Sequence, residues 1–315
     1  MLPIPDHLDE IDLAWMSRAL GSRLEAMTRL PGPAGFGATS QIGRFALEGD
    51  GPARVTVKIG RAGHPHPSMF RREVRSYREL ALPAPRCHVA VTVDDAFVLV
   101  LEDLGHAHHP RSGARHDQAR ALLSTLGRWH HQHRAPVDGW PTKELPDGLA
   151  HQEAVRGGLE RPDRPRFGVT PATERALRAL IDGLPGALGD LAASARGLLH
   201  SDLHAENVLF DEQRVVLLDW QNTACGPLAI DVAGALTCIA PEVLDKDGDA
   251  LLDDYHATVG TPRDDAALRG AVGFVSYTIP WLADHAATSA RAPLAIDAHW
   301  QRLAAAIRFT WGRTG

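Results

Sequence analysis

The sequence predicts an α+β protein of two lobes, β-rich at the N-terminus and mostly helical beyond it. Three observations carry this expectation. At 315 residues the chain exceeds the ~100–200 of an ordinary single domain. After one opening helix, four short runs with strand character cluster between Gln41 and Leu101. From Ala114 onward the apolar spacing turns helical, with two short β-like interruptions.

The elements follow in order. Leu13, Met16, Leu20 and Leu24 recur at helical spacing and predict a helix over Ile11–Leu24. Strands are expected at Gln41–Glu48, Arg54–Ile59, Cys87–Val93 and Phe97–Leu101. Between the second and third, Ser68–Leu82 reads as a helix with Ser68 as its N-cap after Pro67. Later helices are expected at Ala114–Arg134, Pro171–Leu184, Leu251–Val259, Asp264–Ala287 and Ile296–Trp311. The β-like runs are Val208–Phe210 and Val215–Leu218, and Asp138–Arg166, rich in Pro, Gly and charge, reads as a long connection. The junction near Glu102–Gly105 divides an N-lobe over 1–104 from a C-lobe over 105–315.

Composition narrows the class. A 44% hydrophobic and 23% charged chain can bury a real core. With 33 basic against 39 acidic residues, it lacks the basic surplus of a nucleic-acid binder. Cys87, Cys225 and Cys238, odd in number and widely spaced, fit a reducing compartment better than a disulfide framework or a zinc knuckle. No basic leader precedes an apolar run, and no stretch approaches ~18 uninterrupted apolar residues. The expectation is a cytoplasmic protein without a membrane or nucleic-acid partner, acting as a monomer or homodimer. The pieces HAHHP (106–110) and HHQH (130–133) raise a metal site, but the reading preferred for Trp129-His130-His131 is His late in a helix, at home beside the C-terminal dipole.

The chemistry concentrates in LLHSDLHAENVLFDEQRVVLLDWQN, residues 198–222. Asp202, Asn207 and Asp219 punctuate apolar surroundings. Phosphoryl transfer needs Mg²⁺ against the nucleotide phosphates, an acceptor hydroxyl aimed in line, and neutralised transition-state charge. A carboxylate facing the hydroxyl, with an Asn and a second carboxylate as hard oxygen ligands, supplies those parts. Asp202-x₄-Asn207, then a hairpin-length stretch to Asp219, has the spacing of a kinase catalytic loop. In the first lobe, Lys58 ends the strand-like run VTVK, and Glu73 follows on the next helix. Such a pair positions α/β-phosphates in kinases. The glycine loop Gly32–Ser40 can bring backbone N–H groups near phosphates.

On these residues the chain resembles the kinase-like small-molecule phosphotransferases, which include aminoglycoside phosphotransferases and choline kinases. The matching runs are His200–Asn207, Leu218-Asp219-Trp220-Gln221 and Gly226–Ala233. Phe70–Tyr77, Leu101-Glu102-Asp103-Leu104 and the Asp-Trp-Gln ending look most like the ecdysteroid-kinase-like branch. The likeness covers about Gly32 to Val259 and implies a bilobal protein-kinase-like fold that uses ATP and Mg²⁺. It implies that Asp202 faces the acceptor hydroxyl as base or orienter, and that Asn207 and Asp219 bind Mg²⁺. Lys58, supported by Glu73, would hold the α/β-phosphates, Ser40 would sit at the phosphate loop, and the backbone of Glu102, Asp103 and Leu104 would meet adenine. His200 and Asp231 would brace the catalytic loop. Trp220 stands where protein kinases carry Phe, and the glycine loop has no full GxGxxG.

Two other classes stay open. His200, Asp202 and His204 form an H-x-D-x-H that could serve a metal-dependent hydrolase, although Lys58, Glu73 and Asp219 are then unexplained. A non-catalytic binding protein of the same fold is the other. The acceptor is expected to be a small-molecule hydroxyl on an antibiotic, amino alcohol or sterol-like alcohol. Only Trp220–Ile230 separate Asp219 from Asp231, too short for a peptide platform. The acidic run Glu242–Asp249, with Asp253 and Asp254, would favour a cationic acceptor if it lined the cleft. Trp220, Tyr277, Trp281, Trp300 and Trp311 would favour a neutral one if they formed a pocket.

Overall fold

The computed structural model describes residues 3–31, 40–60, 66–134, 137–160, 170–212, 214–280 and 293–312. They form two compact units, one of Met1–Ala107 with Val216–Thr223, the other of His108–Val215 with Ala224–Gly315. The predicted α+β class holds: an antiparallel five-stranded sheet near the N-terminus and a largely helical remainder.

In the first unit, helix α1 (Leu13–Leu20) is capped by Asp12, which accepts from the Trp15 amide at 2.6 Å. It ends at Gly21, whose φ of 62° is the left-handed value that closes a helix. The helical spacing through Leu24 is therefore misleading, because Leu24 begins strand β1 (Leu24–Leu30). That strand lies at the sheet edge and buries only Leu24, so it lacks the alternation that marks a strand in sequence. Strands β2 (Gln41–Gly49), β3 (Arg54–Gly60), β4 (Cys87–Val93) and β5 (Ala96–Glu102) complete the sheet in the order β1-β2-β3-β5-β4.

Alternation along the strands separates two apolar faces. Val55, Val57 and Ile59 of β3 join Val98 and Val100 of β5 in one cluster with Trp15 and Met16 of α1. Phe97, Leu99 and Leu101 of β5 face the other way and pack with Phe70 and Val74 of helix α2 (Pro67–Glu79). Lys58 lies between Val57 and Ile59, opposite Leu99 across the ladder, so it shares the α2 face. Pro67 takes the first helical position of α2, where its fixed φ suits the first turn. Ser68 is thus inside the helix and is not its cap. Helical spacing then turns Phe70, Glu73, Val74 and Tyr77 toward the sheet.

The second unit carries helices α3 (His116–Gln132), α4 (Gly148–Glu160) and α5 (Pro171–Ala193) before the catalytic-loop region. Strands β6 (Arg196–Leu199), β7 (Val208–Phe210), β8 (Val215–Leu217) and β9 (Ala224–Pro227) follow along the chain, Val216 and Leu217 of β8 belonging to the first unit. Then come α6 (Ala229–Leu236), α7 (Pro241–Val259), α8 (Asp265–Val275) and α9 (Pro293–Trp311). β6 and β9 pair antiparallel, with Leu198 opposite Cys225. Residues 138–166 are not a plain connection, since α4 sits within them. Its glycines weaken the sequence pattern yet permit close packing: a Cβ on Gly148 or Gly158 would come within 2.9 Å of Pro185 or Pro280 backbone. Helix α5 continues through Pro185 to Ala193, and α7 begins at Pro241, taking in the acidic run.

Gly60 closes β3 two residues beyond Lys58, beneath two buried rings. A Cβ there would overlap the Phe97 ring and reach 2.9 Å from Phe70 Cζ. Gly60→Ala is expected to cost about 1–3 kcal/mol through overpacking. Urea unfolding checks this: the midpoint should fall with the slope unchanged, and an unchanged midpoint contradicts the packing.

Candidate active site

Lys58, Glu73 and Asp219, dispersed in sequence, meet in the first unit. The Lys58 ammonium lies 2.8 Å from both carboxylate oxygens of Glu73 and 3.0 Å from Asp219 Oδ1. Burial works against the charged lysine, but the pull of Glu73 and then Asp219 outweighs it and holds the ammonium well above the usual lysine range. Burial also pushes the Glu73 carboxyl up, with Lys58 opposing and Asp219 adding to the rise. The rise of Lys58 depends on a charged Glu73, since a neutral Glu73 would forfeit part of the compensation for a buried ammonium, so the pair is held in its charged form.

Asp219 reaches Lys58 because its segment folds onto α2. The Leu217 amide donates to the Pro83 carbonyl at 2.7 Å, and the fully buried Trp220 donates its indole N–H to Leu217 at 2.9 Å. The Ser76 and Thr223 hydroxyls meet at 3.1 Å, with Thr223 donating to the Trp220 carbonyl at 2.8 Å. Asp219 itself has φ 62°, uncommon for a residue with a Cβ, and its Oδ2 accepts from Gln221 at 3.2 Å.

The other expected nucleotide residues have distinct surroundings. Ser40 immediately precedes β2 and is half-buried; the glycine loop Gly32–Thr39 lies outside the described residues. Glu102 accepts from the Arg86 amide at 3.0 Å. The Asp103 carboxylate is gripped by the Arg44 fork, at 2.9 Å to Nε and 3.0 Å to Nη2, so its side chain is committed inside the unit. The Leu104 carbonyl accepts from the Ala107 amide at 2.8 Å.

In the second unit a single buried carboxylate shapes the loop around Asp202. Asp231 accepts from the His200 amide at 2.7 Å, the Ser201 amide at 2.8 Å and His130 Nε2 at 3.2 Å. Ser201 adopts φ 67°, which turns consecutive N–H groups toward one acceptor. His130 also meets the Tyr255 hydroxyl at 2.7 Å, so the expected brace extends to two residues that sequence spacing could not connect. Five positions beyond Asp202, the Asn207 amide donates to the Asp202 carbonyl at 2.9 Å and meets His204 Nε2 at 3.0 Å. His204 Nδ1 lies 2.9 Å from Glu206, and that hydrogen bond holds the Glu206 carboxyl down to about 2, against burial. Nδ1 therefore carries the ring proton, and Nε2 accepts from Asn207.

This geometry bears on the hydrolase reading. His200 is fully buried, and its Nδ1 accepts from the Asp202 amide at 3.3 Å. It braces the loop from within and does not stand beside His204 as a metal ligand. Most of the acidic run is paired on its own surface, Asp247 3.9 Å from His116 and Asp254 3.6 Å from Arg120 among others. Arg263 binds Asp249, Asp253 and Asp265 at 2.8, 3.2 and 2.7 Å, while Arg308 lies 3.6 Å from Asp245. Trp220, Trp300 and Trp311 are core residues; Tyr277 is exposed, and Trp281 lies outside the described residues. A cleft holds Asp202, His204, Phe274, Tyr277, Thr278 and His299 along its walls.

The model of a family described as the phosphotransferase enzyme family matches residues 33–271. The chain belongs to that family. It is a phosphotransferase, of a family that transfers phosphate to hydroxyl groups of small molecules. Solved structures share the fold at low identity. An aminoglycoside phosphotransferase from Alicyclobacillus acidocaldarius subsp. acidocaldarius DSM 446 aligns at TM-score 0.60 and 18% identity, covering 98% of this chain and 93% of that one. The spectinomycin phosphotransferase APH(9)-Ia, in complex with ADP and spectinomycin, aligns at 0.55 and 14%, covering 94% and 96%. A choline/ethanolamine kinase family protein from Mesorhizobium loti aligns at 0.52 and 15%, covering 92% and 93%. No curated protein sequence matches the phosphotransferase.

Asp231→Ala should leave the buried His200 and Ser201 amides without their acceptor and cost about 3–5 kcal/mol. Although burial opposes it, hydrogen bonding from His130 and neighbouring charge keep the Asp231 carboxyl below the usual aspartate range. Its stabilisation is therefore present above an ordinary aspartate pKa of about 4 and is lost as pH falls through the lower folded value. Urea unfolding of wild type and Asp231→Ala should converge as pH falls through that window; a constant difference contradicts the assignment.

Proposed function

We propose that this chain is an ATP-dependent O-phosphotransferase acting on the hydroxyl of a small molecule such as an antibiotic, amino alcohol or sterol-like alcohol. The observation that carries the reading is the buried Lys58 ammonium held between Glu73 and Asp219. Lys58 then holds the α/β-phosphates, with Ser40 and its loop beside them and the Glu102–Leu104 backbone at adenine. For Asp103 this leaves only the main chain, since Arg44 has taken the carboxylate.

Asn207 and Asp219 offer hard oxygens, the donor chemistry Mg²⁺ requires. Both amide hydrogens of Asn207 are committed to Asp202 and His204, which leaves its oxygen to face a cation. Bound there, Mg²⁺ supplies charge neutralisation on the phosphates. Asp202 orients the acceptor hydroxyl and takes its proton as the oxygen bonds to the γ-phosphorus. The bond from that phosphorus to the bridging oxygen breaks, and ADP leaves with the electron pair.

Support for a small acceptor comes from the segment after Asp219. Its only hydroxyl residue, Thr223, is fully buried and bonded to Trp220 and Ser76, so no phosphorylation site stands ready to order a peptide platform. The enzyme should be active as synthesised, in the cytoplasm where ATP is abundant. No helix among the described residues is long and apolar enough to cross a membrane.

Asp202→Asn is expected to lower transfer to an accepted alcohol by ~10²–10⁴-fold while leaving Mg-ATP binding intact. Single-turnover assays with labelled ATP, paired with nucleotide titration, check both halves. Near-native transfer by the variant would remove Asp202 from this role.

A further inference from the structure

The loop around Asp202 contains a chain of side-chain hydrogen bonds that ends on Asn207. His204 precedes a one-turn 3₁₀ helix, Ala205–Asn207, and the Asn207 backbone N–H donates to the His204 carbonyl at 2.9 Å. Residues three apart eclipse on such a turn, so the imidazole and the Asn207 side chain meet. The backbone beyond is pinned as well. His108 exchanges two backbone hydrogen bonds with Phe210, at 3.1 and 2.9 Å, and the His109 ring donates from Nδ1 to the Val208 carbonyl at 3.0 Å. Two histidines of the run 106–110 thus hold the strand that follows Asn207, which is itself 7% exposed.

A fixed main chain leaves open the direction of the Asn207 amide, whose oxygen and nitrogen exchange places on a half turn. Two contacts decide it. The Asp202 carbonyl, 2.9 Å from Nδ2, accepts a hydrogen and can give none. His204 Nε2, 3.0 Å from the same nitrogen, accepts the second hydrogen provided that it carries no proton. Turned round, the amide would set its oxygen against two acceptors and forfeit both bonds. The state of Nε2 is fixed at the far side of the ring, where Nδ1 lies 2.9 Å from Glu206 Oε2. A carboxylate accepts, so it keeps the ring proton on Nδ1. Without Glu206 that proton has another acceptor, because Asp202 Oδ1 is 4.0 Å from Nε2. Nε2 would then present a hydrogen to the Asn207 NH₂ group, and the bond that orients the amide would be lost. Glu206 is exposed, so packing does not account for its place beside the ring.

We propose that Glu206 and His204 are positioning residues for Asn207: Glu206 holds the ring proton on Nδ1, Nε2 takes an amide hydrogen, and the amide oxygen is left for Mg²⁺. Neither residue is a ligand in this scheme; both act through Asn207. The inference rests on the phosphotransferase reading above, in which Asn207 binds the metal. Residues that orient a ligand typically change metal affinity ~10–100-fold when removed.

The test uses the full chain saturated with a non-hydrolysable ATP analogue, with Mn²⁺ in place of Mg²⁺ so that electron paramagnetic resonance reads metal binding. Glu206→Ala should weaken Mn²⁺ by ~10–100-fold and leave binding of the analogue in EDTA unchanged. Glu206→Gln still offers an oxygen to Nδ1–H and should restore the affinity, which separates orientation from the carboxylate's own charge. His204→Ala should match Glu206→Ala, and the double variant should be no weaker, since both act through one bond. A second readout needs no metal: ¹⁵N-histidine spectra should show His204 protonated on Nδ1 alone in wild type and Glu206→Gln, and not in Glu206→Ala. Equal Mn²⁺ affinity in wild type and Glu206→Ala overturns the proposal. So does a Glu206→Gln variant as weak as Glu206→Ala, or a wild-type ring protonated on Nε2. Wild-type protein that binds no metal with the analogue present would instead overturn the phosphotransferase reading, and this inference with it.

Discussion

Lys58 is 8% exposed, on the sheet face that also carries Phe97, Leu99 and Leu101, and a charge so buried persists only if carboxylates meet it there. Glu73 does so from α2 and Asp219 from the segment after β8. The register of α2 on the sheet is thereby constrained: a helix rotated by one residue would carry Glu73 away and leave the charge unpaired. The apolar partners of α2 obey the same register, since Phe70 and Val74 flank Glu73 on the helix face that buries them. The Ser76–Thr223 contact ties the following turn to the same segment. Packing and electrostatics therefore specify one arrangement, which is the consistency expected of a sequence that encodes a single site.

The second unit repeats this logic with the sign reversed. Asp231 is a buried carboxylate, kept charged by two amides and a histidine. Its donors are the backbone N–H groups of His200 and Ser201 and the His130 ring, so the charge fixes the loop that carries Asp202. Ser201 and Asp219 both occupy the left-handed region, beside the two groups expected to do chemistry. Non-glycine residues stay there only where surrounding bonds over-determine them. Here those bonds are the Asp231 fan for Ser201 and the Lys58 contact with the Trp220 turn for Asp219.

Much of this was legible in the sequence because the decisive residues carry local signals. Lys58 sits in an alternating run, Glu73 on a periodic helix, and Asp202, Asn207 and Asp219 at fixed spacing in an otherwise apolar stretch. What escaped was non-local or unpatterned. Strand β1 buries one residue and α4 is broken up by glycines, so neither shows a period. The partners of His130 and Asp103 come from Tyr255 and Arg44, 125 and 59 positions away, and no spacing rule links them. The acidic run would favour a cationic ligand only if it lined the cleft, and composition could not place it; Arg263, lying just beyond the helix, meets Asp249 and Asp253 on the α7 surface.

Ligand-linked stability addresses the central claim without knowledge of the acceptor, because whatever binds only the native state raises its melting temperature. Thermal unfolding of the full chain should be followed with ATP and Mg²⁺ together, with ATP and EDTA, and with zinc or manganese alone. A phosphotransferase built around Lys58, Glu73 and Asp219 predicts a clear rise with Mg-ATP, a smaller one without the metal, and none with either transition metal. Stabilisation by zinc or manganese alone, with no response to Mg-ATP, would contradict it.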